Sequence, residues 1–392
     1  MTPAARVAVA IEVLDAYLAG SPAEKALTNW ARRSRFAGSG DRAAIRDHVF
    51  GALRNRLSFA ALGGGETGRG LMIGQLRAEG QDPTAVFTGE GHAPTALTAE
   101  EQALPDSEMP EAVALDCPAW LLPRLKASLN DDFAPVMRLM KDRAPVFLRV
   151  NTRKASRDDV QSTLLAEGIE TRPHPLSDKA LEATSNQRRI KNSAPFQNGL
   201  VALQDAASQF VADHVPLDGR TRILDYCAGG GGKALAFATR GAGEVIAHDI
   251  DFHRMSDIPD RAKRAGARIA LAATDDLTAK SPFDVVFCDA PCSGSGAWRR
   301  SPEAKWALSE ARLAELTTTQ ASILDQAAEH VVPDGTLAYA TCSLLHDENR
   351  GQIDSFLERA PGWGLQTDYR LTPLDGGDGF YLALLTRGTA QQ

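Results

Sequence analysis

The sequence predicts an α/β protein, with an open, largely parallel sheet in its C-terminal half preceded by an all-α unit and a small α+β unit. Three observations predict it. Residues 1–54 place apolar side chains at steps of three and four, the period of a helix. At Val146-Phe147-Leu148-Arg149-Val150 the pattern turns strand-like, and a helical stretch follows at about 156–167. From about residue 221 short β-rich runs alternate with helices, as in strands joined by crossovers. A chain of 392 residues suits two or three units of roughly 100–200 residues each. The boundaries read from these changes are 1–130, 131–204 and 205–392.

Taken in order, Val7, Ile11, Leu14 and Leu18 share one face of a first helix, which Gly20-Ser21-Pro22 ends. A second helix from about Pro22 carries Leu27, Trp30 and Ala31 and stops near Phe36-Ala37-Gly38. Asp41 is read as the cap of a third, with Ile45, Val49 and Leu53 on its stripe. Residues 79–116, rich in Gly and Pro and weakly periodic, read as a solvated connector. Helical spacing resumes over Pro118–Leu129. The strands expected further on are Ile223–Tyr226, Val245–His248, Arg268–Leu271, Asp284–Cys288, Thr336–Ala340 and Phe380–Leu385, with an apolar helix over 309–331.

Composition narrows the function. An apolar content of 43% supports packed cores, and charged residues at 24% exclude a predominantly disordered chain. No apolar run approaches the roughly 18 residues of a membrane helix. The first residues lack a cleavage pattern and read as an ordinary helix rather than a signal peptide. Five cysteines, an odd number, argue against a disulfide framework and for a reducing cytoplasm. The net charge of −7 conceals an uneven distribution. Residues 1–70 hold ten Lys/Arg against six Asp/Glu, and residues 138–195 twelve against seven, whereas 79–116 hold nine acids and no base. A local basic face, not the net charge, is what a phosphate backbone meets.

Ligands of open α/β sheets bind at the carboxyl ends of the strands, so chemistry is sought there. After the first large-sheet strand comes Asp225-Tyr226-Cys227-Ala228-Gly229-Gly230-Gly231-Gly232-Lys233. Glycines entering a helix let the backbone approach a ligand and aim N–H groups at it. A P-loop fails at Cys227 and Ala234, where Gly and Ser/Thr are needed. Gly229, Gly231 and Ala234 satisfy a dinucleotide fingerprint, and the same geometry serves an S-adenosylmethionine loop. Asp249 ends the next strand, placed for a pair of ribose hydroxyls, and Asp275 follows the third, placed for an adenine amino group. The fourth strand runs into Asp289-Ala290-Pro291-Cys292-Ser293-Gly294, and a later one into Thr341-Cys342-Ser343. Two cysteines at equivalent strand ends face one crevice. Their spacing does not suit zinc, and no metal is expected. The thiols of Cys117, Cys227 and Cys288 read as structural.

At these residues the chain resembles the Fmu/Sun family of RNA (cytosine-5) methyltransferases, whose glycine loop reads close to D-x-C-A-A-P-G-G-K and whose later strands end D-A-P-C-S-G and T-C-S. Gln204–Gln209, Arg299–Trp306 and Asp347-Glu348-Asn349 are similar to family sequence too. The N-terminal helices, with Arg35-Phe36, Asp41-Arg42 and Gly51-Ala52-Leu53-Arg54, resemble a NusB-like RNA-binding domain. Gly229 and Gly230 stand where the family has Ala and Pro, and Ala234 where Thr is common, which predicts a more flexible loop.

The resemblance implies a Rossmann-like, S-adenosylmethionine-dependent methyltransferase domain acting on RNA, with rRNA the expected partner, in a cytoplasmic and monomeric protein. It implies that Cys227, Ala228, Gly229, Gly230, Gly231, Gly232, Lys233, Asp249, Asp275 and Asp289 line the cofactor side of the site. It gives Cys342 the part of nucleophile at carbon 6 of cytosine and Cys292 a part in proton removal and enzyme release. Asp289 is placed to hydrogen-bond the base's N3 and amino edge. A thiol needs activation near neutral pH, and Lys233 and the sulfonium are the two positive charges at hand. Arg299 and Arg300 read equally as RNA contacts or as surface charges. An NAD-dependent oxidoreductase would leave both cysteines unexplained, and a non-catalytic assembly factor would have no use for the pair. A DNA cytosine methyltransferase would not account for Thr341-Cys342.

Overall fold

A computed structural model describes residues 1–103 and 108–387; residues 104–107 of the acidic connector and 388–392 lie outside the described residues. Contacts divide the chain into two units, one of residues 1–143 with 298–307, the other of 144–297 with 308 onward. Among the described residues no helix is long and apolar enough to cross a membrane.

The first unit is helical, with its main helices at Pro3–Leu18, Ala23–Arg33, Ser39–Arg54, Arg56–Gly63 and Gly68–Ala78. The expected stripes form its core: Val7, Leu14, Trp30, Ile45, Val49 and Leu53 are buried. Asp41 does not cap the third helix from outside. Gly38 is the cap residue, and Asp41 reaches back from inside to the Gly38 N–H at 3.2 Å while also taking Arg6 Nε at 2.9 Å. A carboxylate three residues into a helix satisfies the same orphan amide that a cap side chain would miss. The last two helices cross with their backbones in contact. A methyl group added at Gly74 would lie 1.9 Å from the Phe59 carbonyl, and one at Gly63 1.8 Å from that of Gly70.

The acidic connector is less solvated than its composition suggests. Phe87, Leu97 and Leu115 are buried, and Asp116 is inaccessible. The Asp116 carboxylate accepts the amides of Leu57 at 2.8 Å and Ser58 at 3.0 Å, capping the fourth helix, and pairs with Lys141 at 2.8 Å. Sparse, unevenly spaced anchors of this kind have no period to read.

Residues 298–307 complete the same unit. Ala23 N–H donates to Glu303 at 2.8 Å, which caps a helix whose own cap residue is Pro22. At the far end of Ser39–Arg54, Trp306 Nε1 donates to the Leu53 carbonyl at 2.6 Å and Lys305 Nζ to that of Arg54 at 3.1 Å. Arg54 Nε in turn donates to the Arg299 carbonyl at 2.7 Å. Arg299 is buried rather than a surface charge, whereas Arg300 is exposed.

The second unit carries both sheets. Strands β1 (Val146–Val150), β2 (Thr171–Pro173), β3 (Ala180–Ala183) and β4 (Val201–Leu203) form a small antiparallel sheet in the order β2-β3-β1-β4, and the helix Arg157–Ala166 packs on it. The large sheet is built from β5 (Arg222–Asp225), β6 (Glu244–His248), β7 (Ala270–Ala272), β8 (Phe283–Asp289), β9 (Val331–Thr341), β10 (Trp363–Leu371) and β11 (Phe380–Arg387), in the order β10-β11-β9-β8-β5-β6-β7. Strands β5 to β9 run parallel, and β11 is antiparallel to both its neighbours. Successive residues alternate between two buried faces: Ile223, Val245, Val285 and Phe287 enter one core, Leu224, Ile246, Val286 and Leu337 the other. Strand β10 was not among the expected strands, because it is an edge with mostly half-exposed residues.

Gly74→Ala tests the close helix crossing. It should cost at least about 2 kcal/mol, because backbone atoms rather than a flexible side chain must move. A thermal midpoint equal to wild type would show that the helices do not touch there.

Candidate active site

The order of the large sheet reverses between β5 and β8, and a cavity of about 820 Å³ opens at the carboxyl ends of the strands on either side. Its wall holds the glycine loop from Asp225 to Lys233 except Gly231, then His248, Asp249, Asp289 to Cys292 and Cys342. Residues of the helix Glu310–Ala328, among them Thr318, Ser322 and Gln326, close another side. Nothing in that helix's pattern distinguishes these polar positions from ordinary solvent-facing ones. Gln326 accepts from Tyr226 Oη at 2.9 Å, which ties the helix to the loop.

The glycine loop is held rather than loose. Gly229 adopts φ +49° and Gly231 φ +75°, both left-handed, and a Cβ on Gly231 would come within 2.6 Å of Ile258. Gly231 therefore serves the turn into the helix Gly232–Arg240 and does not line the cavity. Ala228 N–H donates to the His248 carbonyl at 2.8 Å, Gly229 N–H to Asp249 at 2.9 Å and Gly231 N–H to the Ala228 carbonyl at 2.8 Å. Three of the loop amides are thus engaged within the protein. The flexibility expected from Gly229-Gly230 meets these ties, and a further one from Arg261 to the Gly230 carbonyl.

Asp249 is buried at the end of β6 and also accepts from Arg254 at 3.0 Å. Beside it Ile250 lines the cavity although 83% exposed, an apolar plate with no protein neighbour to cover it. The structure does not bring Asp275 to the cavity wall. Strand β7 stops at Ala272, and the turn Thr274–Asp276 is fastened by Thr274 to His248 Nε2 at 2.9 Å, leaving Asp275 exposed. Asp225, read only as the start of the loop, is 1% exposed, and neither carboxylate oxygen has a hydrogen-bond partner among the described residues. Burial first, and then the neighbouring Asp289, push its carboxyl up to about 7.

The two cysteines come together, with Cys292 Sγ and Cys342 Sγ 3.5 Å apart. Cys292 is held well above the ordinary thiol range, by its hydrogen bond to Cys342 first and by burial second. Lys233 lies nearby, buried, with Nζ 2.5 Å from Asp289 and 5.0 Å from the centre of the Phe380 ring. Burial opposes its charge, but Asp289, with Cys342 and Asp225, outweighs that and raises its pKa. The thiol of Cys227 is pushed well up by burial and then by Cys288, in keeping with a structural part.

Glu348 holds the two cysteine loops in place. It is inaccessible, and its carboxylate accepts from Ser293 N–H at 2.7 Å, Ser343 Oγ at 2.5 Å, Gln320 Nε2 at 3.1 Å and Ser293 Oγ. Ser293 follows Cys292 and Ser343 follows Cys342, so one side chain joins the residues after both. Asn349 adds to it, accepting from Thr341 Oγ1 at 2.5 Å and donating to the Ser343 carbonyl at 2.9 Å. Gly296 N–H donates to the Cys342 carbonyl at 2.9 Å.

A parallel-dominated sheet of this order, with a glycine loop after its central strand, defines a Rossmann-like methyltransferase fold, here preceded by a ferredoxin-like small sheet and NusB-like helices. Residues 215–386 match the family described as 16S rRNA methyltransferase RsmB/F, and residues 117–188 match the ferredoxin-like domain of RsmF/B-like methyltransferases. The chain belongs to this RsmB/F family. It is 34% identical over 290 residues to ribosomal RNA small subunit methyltransferase B of Klebsiella pneumoniae (strain 342), covering 69% of this chain and 66% of that protein. The chain thus spans just under two thirds of the length of the curated relatives it matches. Among solved structures, PH0851 aligns over 99% of both chains with a TM-score of 0.78 at 22% identity. A methyltransferase homolog protein from Pyrococcus horikoshii aligns with a TM-score of 0.62 at 23% identity, over 71% of this chain and 97% of that one. At these identities the likeness is one of fold.

Two outcomes test the site's electrostatics. Glu348→Gln places an amide N–H₂ against groups that already donate, which should lower stability by roughly 3 kcal/mol. It should also speed iodoacetamide alkylation of Cys292 and Cys342; unchanged denaturation and unchanged alkylation would refute the tie. For Asp225 the folded pKa is raised, so between 3.8 and about 7 the folded chain keeps a proton that the unfolded chain has released. Stability attributable to this group therefore falls as pH rises through that window. Asp225→Asn should gain in thermal midpoint relative to wild type as pH rises from 4 to 7, and a constant difference would show that Asp225 does not titrate there.

Proposed function

We propose that this chain transfers a methyl group from S-adenosylmethionine to carbon 5 of a cytosine in small-subunit rRNA, through a covalent cysteine–cytosine adduct. The observation that carries the reading is the pair Cys292 and Cys342, 3.5 Å apart in one cavity with the Lys233–Asp289 ion pair. The residues present fit the cofactor. Asp225 offers two buried oxygens without side-chain partners among the described residues, suited to a cationic ammonium and sulfonium, and Asp249 is at hand for ribose hydroxyls once it shares or releases Arg254. Ile250 provides an apolar surface for a purine. When bound, the cofactor supplies an electrophilic methyl group.

Carbon 5 of cytosine is a poor nucleophile until a thiolate adds at carbon 6 and makes the ring an enamine. Cys292 is the less suited to attack, because its raised pKa keeps it a thiol. That leaves the addition to Cys342, whose negative charge Lys233 stabilises. Asp289 holds the N3 and amino edge of the base as charge builds there. Once Cys342 is a neutral thioether, its hydrogen bond and charge no longer hold the proton on Cys292. Cys292 then gives that proton to solvent, and its thiolate takes the carbon-5 proton as the carbon–sulfur bond breaks and Cys342 leaves as a thiolate.

The target base must be unstacked, which favours single-stranded or looped RNA. In this reading residues 1–130 are an RNA-binding unit, 131–204 assist recognition, and 205–392 are catalytic. The protein works as a cytoplasmic monomer, without a metal.

The test is transfer of labelled methyl groups to rRNA and to small ribosomal particles. Wild type should form 5-methylcytosine, and Cys342→Ala should lose activity by roughly a thousandfold or more. Cys292→Ala should accumulate a covalent protein–RNA complex. Full activity in Cys342→Ala would overturn the assignment of the nucleophile, and no methylation of any RNA would overturn the reaction.

A further inference from the structure

A second cavity, of about 510 Å³, lies in the same unit between β4 and the helices that follow β5 and β6, and it shares Arg261 with the cysteine cavity. Its walls gather four cations, Arg149, Lys191, Arg261 and Arg264, against two carboxylates, Asp257 and Asp260. None of these four cations has a carboxylate at ion-pairing distance among the described residues, whereas Arg222 and Arg254 of the same unit each have one.

Arg149 is the most telling of the four. It is 6% exposed and donates only through Nη1, to Gln204 and to the Gly232 carbonyl at 2.9 Å. Its Nε and Nη2 have no partner among the described residues. That edge of a guanidinium is the one that grips two oxygens of a phosphate or carboxylate side by side. Burial first, and Arg261 second, push its pKa down to about 10, so an anion placed there would relieve a cost already present. Arg264 lies over the Phe196 ring at 5.1 Å, and Leu203 is 37% exposed beside it, which leaves an apolar, partly aromatic wall. Lys191 stands exposed at the rim. Cations running from a buried fork outward to a rim suit a chain of phosphates better than one small anion.

We propose that this cavity holds a phosphate-bearing nucleotide of the substrate RNA outside the segment that reaches the cysteines, as an anchor beside the catalytic cavity. The proposal rests on the reading of RNA as substrate. It gives the basic character of residues 138–195 a location, through Arg149 and Lys191, and adds Arg261 and Arg264 from beyond that segment.

The test is equilibrium binding of a small-subunit rRNA transcript, without cofactor, over a range of salt concentrations. Lys191→Ala/Arg264→Ala should weaken binding about tenfold or more and flatten the salt dependence by about two phosphate contacts. Arg149→Lys, which keeps the charge but loses the fork, should weaken binding about threefold or more. Melting curves confirm that each variant folds, and affinity for S-adenosylmethionine should be unchanged by calorimetry. RNA affinity and salt slope equal to wild type in both variants would overturn the proposal, as would a wild type that binds no RNA. So would a fall in cofactor affinity in place of RNA affinity, which would give Arg149 to the cofactor's carboxylate. The readout is binding, so a chain that grips RNA here but methylates none would sink the reaction and leave the anchor standing.

Discussion

The carboxylate of Glu348 is the constraint on which the cysteine pair depends. The two cysteine loops follow β8 and β9, neighbouring parallel strands whose ladder fixes the strand ends but not the turns beyond them. Beyond the ladder each turn must find other partners, and Ser293 and Ser343 find the same one. Among the described residues the carboxylate has no ion pair, so its stabilisation comes from donated hydrogen bonds, and the loss of any one leaves a buried charge under-satisfied. Such an arrangement tolerates little displacement. It also explains why the residues after both cysteines are serines, since each must be small and must donate.

Around that tie, the charges of the cavity form one set. Asp225, Asp249 and Asp289 share it with Lys233, Arg254 and Arg261, and the most buried of the three acids, Asp225, has no side-chain partner among the described residues and an elevated pKa. A cation entering the cavity beside Asp225 would restore its carboxylate. Lys233 stands between the two halves of the site: its ammonium pairs with Asp289, and Cys342 is among the groups that raise its pKa. The same lysine thus orients the acid proposed for the base edge and keeps a positive charge near the sulfur proposed to attack.

What the sequence revealed depended on whether a feature repeats or acts alone. Short β-rich runs alternating with helices made five parallel strands legible, and with them the places where Asp249, Asp289, Cys292 and Cys342 emerge. Asp275 was read by analogy with Asp249, but a strand of three residues ends too soon and its turn is fastened elsewhere. Strand β10 was missed because an exposed edge lacks an apolar period. Glu348 was visible only as family-like sequence. A buried acid in a turn cannot be told from a solvated one without knowing that Ser293 and Ser343 are beside it. Arg149 was lost in a strand for the same reason, since nothing in Leu148-Arg149-Val150 shows that the arginine is buried without a carboxylate.

The stretch Arg299–Trp306 shows how family resemblance and physical role can diverge. Two arginines shortly after the Cys292 loop invite an RNA reading, yet here the backbone carbonyl of Arg299 holds the Arg54 side chain, and the indole of Trp306, the ammonium of Lys305 and the carboxylate of Glu303 serve helix ends of the N-terminal unit. Local capping leaves these ends incomplete: Pro22 precedes one helix with no side-chain bond, and at the other Asn55 serves the Gly51 and Ala52 carbonyls, so that Leu53 and Arg54 take donors from elsewhere. Each such bond contributes about 1 kcal/mol. A fragment cut after residue 143 would lack all of them, and the ten-residue segment 298–307 left in the remainder would carry the buried Lys305 and the half-buried Trp306 with nothing to cap. The two units defined by contacts are therefore not separable by a single cut, and the loop that presents Cys292 continues directly into the segment that finishes the helical unit.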